Sequence, residues 1–142
     1  MSHNKIIAML LGMLAGSPLM AQEGGEPLPN PCTVEPVFHC AETMDDGGAI
    51  AHFGYRTSCP ESDPPIEEVY VAIGDDNYFA PGGIDRGQPT VFVPGDHVDE
   101  FESEFTPEEV KKGADWTVLK IGIRVDFAKT KDASLDCTRL PY

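Results

Sequence analysis

Residues 37–55 read VFHCAETMDDGGAIAHFGY, and the alternation within them decides the fold. On one side of the Asp45-Asp46-Gly47-Gly48 cluster, Phe38 and Cys40 alternate with His39 and Ala41. On the other side, Ala51, Phe53 and Tyr55 alternate with Ile50, His52 and Gly54. A period of two is the pattern of a half-buried strand, and Asp-Gly between two such runs marks a tight hairpin turn. The stretch therefore predicts a hairpin centred on Asp46-Gly47, with Phe38, Cys40, Phe53 and Tyr55 on the face that enters the core.

The same grammar continues downstream. CPESDPP at 59–65 is a loop that no central strand could contain, because proline cannot donate to a ladder. EEVYVAI at 67–73 predicts a β-branched strand, GDDN at 74–77 a turn, and PTVFVP at 89–94 a strand bounded by prolines. Phe101, Ser103 and Phe105 alternate with Glu100, Glu102 and Glu104, which predicts a half-buried strand with a charged outer face. Thr106-Pro107-Glu108-Glu109 supplies a capping hydroxyl, proline at the first helical position and early acids, with Gly113 soon after. A short helical turn is expected near 106–112. Trp116 to Phe127 reads as one long strand, with Trp116 alternating into the core. About seven short strands without a long amphipathic helix between them predict an all-β, antiparallel β-sandwich over residues 37–142.

Upstream, the composition changes. MSHNKIIAMLLGMLAGSPLMA (1–21) has one base at Lys5, an apolar run from Ile6 to Ala15 and small residues before Gln22. This is the layout of a cleaved signal peptide, and the apolar run is about half of the roughly 20 residues a membrane-spanning helix needs. Export to the cell surface or beyond is expected, with no membrane span after cleavage at Ala21. Residues 22–36, rich in Pro and Gly and without periodicity, read as an extended arm.

The four cysteines, Cys32, Cys40, Cys59 and Cys137, all follow the signal. An even number in an exported chain points to two disulfides, and their spacing matches no zinc knuckle. In the hairpin register, Cys32 runs beside Cys59. Of the three possible pairings, this register favours Cys32–Cys59 as a staple across the open end and Cys40–Cys137 as a tie to the C-terminal tail.

The whole chain of 142 residues carries 24 acids against 10 Lys and Arg, a formal charge of −14. A field of that sign repels nucleic acid, so no nucleic-acid partner is expected. Seven acids lie between Asp96 and Glu109, and a solvated strand face that resists edge pairing accounts for them. Asp75, Asp76 and Asn77 suit either a turn or a calcium loop, although the EF-hand spacing is missing. Asp85 and Arg86 flank a turn in DRGQP where Gly87 can take a positive φ, Gln88 can bridge backbone groups and Pro89 fixes the next strand. This loop is either a rigid structural element or a ligand contact. His39 and His52 could pair across the outer face of the hairpin, which alone is weak support for a metal. Tyr70, Tyr78 and Tyr142 are candidate exposed aromatics. No GxSxG elbow and no phosphate-binding glycine fingerprint occurs, so no catalytic residue, metal site or obligate cofactor is assigned, calcium being the alternative.

The strings AHFGY (51–55), VAIGDDNYFAPG (71–82) and DRGQPTVFVPG (85–95), followed by Phe101, Phe105 and Trp116-Thr117, resemble a family of bacterial extracellular Ig-like β-sandwich modules. The resemblance spans roughly residues 36–127. It implies a surface or structural setting without enzymatic activity. Other surface or matrix proteins, or further copies of the chain, are the expected partners. The chain departs from the family in being a single module, in the additional cysteine of its 57–65 insertion, and in lacking a glycine-containing turn after the tryptophan. The expected role is thus a secreted, non-catalytic structural or adhesive protein: a coat, fibre or matrix component, or the partner of an envelope protein. The alternatives are a calcium- or glycan-dependent binding module and a secreted enzyme or enzyme inhibitor.

Overall fold

The first hairpin is the longest pairing of the structure, a computed structural model that describes residues 30–127 and 135–137. The signal sequence, arm residues 22–29 and Tyr142 lie outside the described residues. Strand β1 (Thr33–Thr43) pairs antiparallel with β2 (Ala49–Ser58), from Thr33 opposite Ser58 to Thr43 opposite Ala49. β2 also pairs with β6 (Gly95–Phe105), giving a sheet of order β1-β2-β6. A second sheet has the order β4-β7-β8, from Asn77–Ala80, Ala114–Val118 and Ile121–Val125. β3 (Val69–Tyr70) and β5 (Val91–Phe92) form a two-stranded ribbon. All these ladders are antiparallel, and the one helix among the described residues is α1 (Pro107–Lys112). The protein is all-β.

The two three-stranded sheets share one aromatic core. Phe53 of β2 lies edge-on to Trp116 of β7 at 5.8 Å and to Phe79 of β4 at 5.4 Å. Phe79 in turn stacks on Trp116 with the ring planes 7° apart. Phe53, Phe79, Phe92, Phe105 and Trp116 are all fully buried, and edge-to-face rings add about 0.5–1.5 kcal/mol per pair beyond area burial.

Both favoured disulfides form, Cys32 with Cys59 and Cys40 with Cys137. The face assigned to Cys40, however, is corrected. The register shifts between Phe38 and Cys40, so that Phe38 stands opposite Phe53 while Cys40 stands opposite His52. One additional residue in a strand inverts the alternation beyond it. Ala41, not Cys40, continues the core face, opposite Ala51. Cys40 is buried on the other face, where the tail crosses: Ala41 N–H donates to Leu135 O at 2.9 Å.

Four further expectations change. β1 begins at Thr33, inside the stretch read as an arm, because the Cys32–Cys59 staple lets Val34 pack in the core. The strands expected over 67–73 and 89–94 shrink to the two residues each of β3 and β5. Residues 77–80, read as the end of a turn, form β4. Trp116 to Phe127 is a hairpin instead of one strand: Leu119 and Lys120 take φ of 47° and 70°, and Ala114 to Val118 pairs back on Ile121 to Val125. Two consecutive positive φ values are the geometry of a type I′ turn, which a search for Asn-Gly does not detect in Leu-Lys. The count of strands is eight among the described residues.

The β2–β6 ladder carries a second irregularity with a steric cause. Phe53 is opposite Phe101 and Tyr55 opposite His97, so Gly54 faces three residues, with Asp99 at φ 54°. A Cβ on Gly54 would lie 2.0 Å from His97 O. Gly54→Ala is therefore expected to lower stability by about 2 kcal/mol or more, the range for overpacking a closed site. Gly83→Ala meets nothing nearer than 3.8 Å and should stay within about 0.5 kcal/mol of the parent. Chemical denaturation of both variants checks the contrast.

Candidate functional site

The DRGQP loop is wired to itself. Asp85 Oδ1 accepts from Gly87 N–H at 3.0 Å, Gln88 Oε1 accepts from Arg86 N–H at 2.7 Å, and Gln88 Nε2 donates to Ile84 O at 2.7 Å. Gly87 takes the positive φ expected of it, 84°. Asp85 is thus a turn-former at the surface, whereas Arg86 points inward. Its guanidinium lies 4.5 Å from the centre of the Phe105 ring, donates to Glu104 O and forms an ion pair with Glu109, leaving the Arg86 side chain 10% exposed.

Glu109 serves two structures at once. One carboxylate oxygen accepts from Thr106 N–H at 2.9 Å, while Thr106 Oγ1 accepts from Glu109 N–H at 3.3 Å, a reciprocal capping box at the start of α1. Both oxygens also accept from Arg86, the one outside the capping box more closely. The hydrogen bond from Arg86, reinforced by the Thr106 amide, holds the Glu109 carboxyl below the usual carboxylate range despite its partial burial. This shared carboxylate was missed in the sequence, since a capping box reveals one of its oxygens only.

Asp75, Asp76 and Asn77 are not brought together as ligands. Asp75 and Asp76 are exposed, while Asn77 is fully buried. Its amide nitrogen donates to Val71 O at 3.2 Å and Pro89 O at 2.8 Å, and its oxygen accepts from Trp116 Nε1 at 3.1 Å. Gly74 and Asn77 close the turn by paired backbone hydrogen bonds. The position belongs to the core; the signal in the sequence was the alternation of Asn77 with Tyr78 and Phe79, obscured by the two acids before it. Asp75 instead lines an open depression with Gly74, Tyr78 and Ile84.

The histidines also separate. His39 sits in the bulge of β1. His97 stacks on Tyr55 with ring centres 4.5 Å apart, and its Nδ1 meets Glu100 at 3.1 Å. His52 lies on the outer face between two carboxylates, with Nδ1 2.8 Å from Asp99 and Nε2 3.7 Å from Glu42. Glu42, His52 and Cys137 place one potential ligand atom each within 4.8 Å of one another.

The outer surface of the β3–β5 ribbon is apolar. Val69 and Phe92 pair inward and are buried, whereas Tyr70 and Val91 pair outward at 71% and 41% exposure. Val93, two residues beyond Val91, is exposed as well.

No protein-family model, curated protein or solved structure matches this chain.

Two predictions follow from the buried polar groups. Asn77→Ala orphans an indole N–H and two carbonyls, at about 1–3 kcal/mol for each group left unpaired. A loss of roughly 3 kcal/mol is expected, and it should shrink in a Trp116→Phe background, where the indole donor is already gone; a double-mutant cycle measures this. For Glu109, a depressed folded pKa means a contribution that is complete above the ordinary carboxylate value of about 4.3 and lost as pH falls through the lower folded value. Glu109→Gln should cost about 1–3 kcal/mol at pH 7, with the gap to the parent closing below the carboxylate range. Urea denaturation across pH tests the convergence.

Proposed function

We propose that this protein is an exported, non-catalytic β-sandwich module of the extracellular Ig-like kind that acts by binding another surface or matrix protein. The supporting observation is the outer face of the β3–β5 ribbon. An apolar Tyr70–Val91–Val93 surface on a strongly acidic protein costs solubility without serving the core, and contiguous exposed apolar residues mark contact sites. Tyrosine in particular contributes large contact area while keeping a polar handle.

The two disulfides agree with an oxidising compartment. No helix among the described residues is long and apolar enough to cross a membrane. The signal-like residues 1–21 supply the route out of the cell. The DRGQP loop, by satisfying its own hydrogen bonds, is better suited to hold the scaffold than to bind a ligand. A calcium-dependent role has less support, since Asn77 is committed to the core and only Asp75 and Asp76 remain at the surface.

A Tyr70→Glu/Val91→Glu variant tests the reading. Retention on the surface or matrix fraction of the producing cells should fall at least about tenfold, a loss of about 1.4 kcal/mol. The melting temperature should stay within about 2 °C, because both side chains are exposed. Unchanged retention sinks the proposal.

A further inference from the structure

We propose that Cys40, Cys137, His52 and Glu42 form a zinc site that becomes available when the Cys40–Cys137 disulfide is reduced. Glu42, His52 and Cys137 converge on the outer face of the first hairpin, and Cys40 stands beside them through its bond to Cys137. The bulge at His39 sets Cys40 opposite His52, and the bridge between Ala41 and Asp136 holds Cys137 over the same spot. Ligand atoms of Glu42, His52 and Cys137 already lie within 4.8 Å of one another, and Cys40 Sγ is bonded to Cys137 Sγ. With Zn–S near 2.3 Å and Zn–N near 2.0–2.1 Å, tetrahedral ligands sit roughly 3.3–3.8 Å apart. Glu42, His52 and Cys137 need a contraction of about 1 Å, and Cys40 Sγ, which lies outside that group, must part from Cys137 Sγ and turn toward them.

The orientation of His52 is a second and independent observation. Asp99 Oδ1 lies 2.8 Å from Nδ1. An ionised carboxylate only accepts, so Nδ1 is the donor to Asp99, and the tautomer this selects is the one in which Nε2 offers its lone pair to a metal. That Nε2 atom is buried and has no hydrogen-bond partner among the described residues. A carboxylate fixing one ring nitrogen while the other is left free is the outer-shell arrangement of metal-binding histidines. Asp99 is here a positioning residue, placed by its positive φ in the β6 bulge.

The chemistry balances. A phosphine reductant gives two electrons to the disulfide and becomes its oxide with oxygen from water, leaving two thiols. Zn2+ then displaces two protons to solvent as both sulfurs bind as thiolates. The tail is thus fastened by a covalent bond under oxidising conditions and by a metal under reducing ones.

The test uses the full chain, oxidised or reduced with a phosphine, and Zn2+ or Co2+ alone as probe. The reduced protein should bind one Zn2+ at least about 100-fold more tightly than the oxidised form, since two of its ligands are otherwise unavailable. With Co2+ it should show a thiolate-to-metal charge-transfer band and the strong visible bands of a tetrahedral site. Zn2+ should shield Cys40 and Cys137, but not Cys32 and Cys59, from alkylation in the reduced chain. His52→Ala should weaken binding at least tenfold. Asp99→Asn should weaken it about 10–100-fold without changing the melting temperature of the oxidised protein, and Asp99→Glu should recover it. Equal shielding of all four cysteines, binding insensitive to His52→Ala, or a reduced chain that Zn2+ leaves unfolded overturns the proposal.

Discussion

A tryptophan at the centre of a β protein costs about 1–3 kcal/mol if its indole N–H finds no acceptor, and here that acceptor is the Asn77 side chain. Trp116 is fully buried, stacked on Phe79 and met edge-on by Phe53 and Phe101 of the opposing sheet. Asn77 is equally buried, and its amide uses the remaining capacity to hold the carbonyls of Val71 and Pro89. One side chain therefore joins the edge strand β4, the central strand β7 and the segments that flank the β3–β5 ribbon. Apolar packing is tolerant of small slips, whereas three hydrogen bonds in a dry interior are not. The amide accordingly fixes where the ribbon lies against the second sheet.

Much of this was legible before any coordinates. The hairpin of residues 37–55, the cysteine pairs, the capped helix and the self-bonded DRGQP loop all follow from local rules: alternation, turn chemistry and side-chain-to-backbone bonding. What was not legible depends on relations between distant segments. The bulge at His39 leaves no mark in composition, yet it moves Cys40 from the core face to the face covered by the tail. Leu119-Lys120 turns because Trp116 and Val118 of β7 must lie beside Ile123 and Ile121 of β8 on the core face of one sheet, and this tertiary demand overrides weak turn propensity. β3 and β5 are short because side chains take the flanking backbone groups: Asn77 donates to the carbonyls of Val71 and Pro89, and Val93 N–H donates to the Tyr55 hydroxyl.

The acidity also has a place. Glu102 and Glu104 project from the outer face of β6 while Phe101, Ser103 and Phe105 turn inward. β6 is the edge of its sheet, and a negative face along a long edge strand opposes pairing with a second copy. The apolar ribbon lies on strands that carry none of these acids. Charge thus protects one surface from association while leaving another open to it.

The sharing of Glu109 between the capping box and Arg86 has a dynamic consequence. α1 is only six residues long, too short to persist without outside support. If its first turn frays, Glu109 leaves Arg86, and Arg86 in turn loses its hold over Phe105 and the loop around Gly82. The helix and the DRGQP loop are separated in sequence by the whole of β5 and β6, yet they should open as one cooperative unit. Their amides would then exchange with solvent at a common rate, distinct from that of the hairpin beside them.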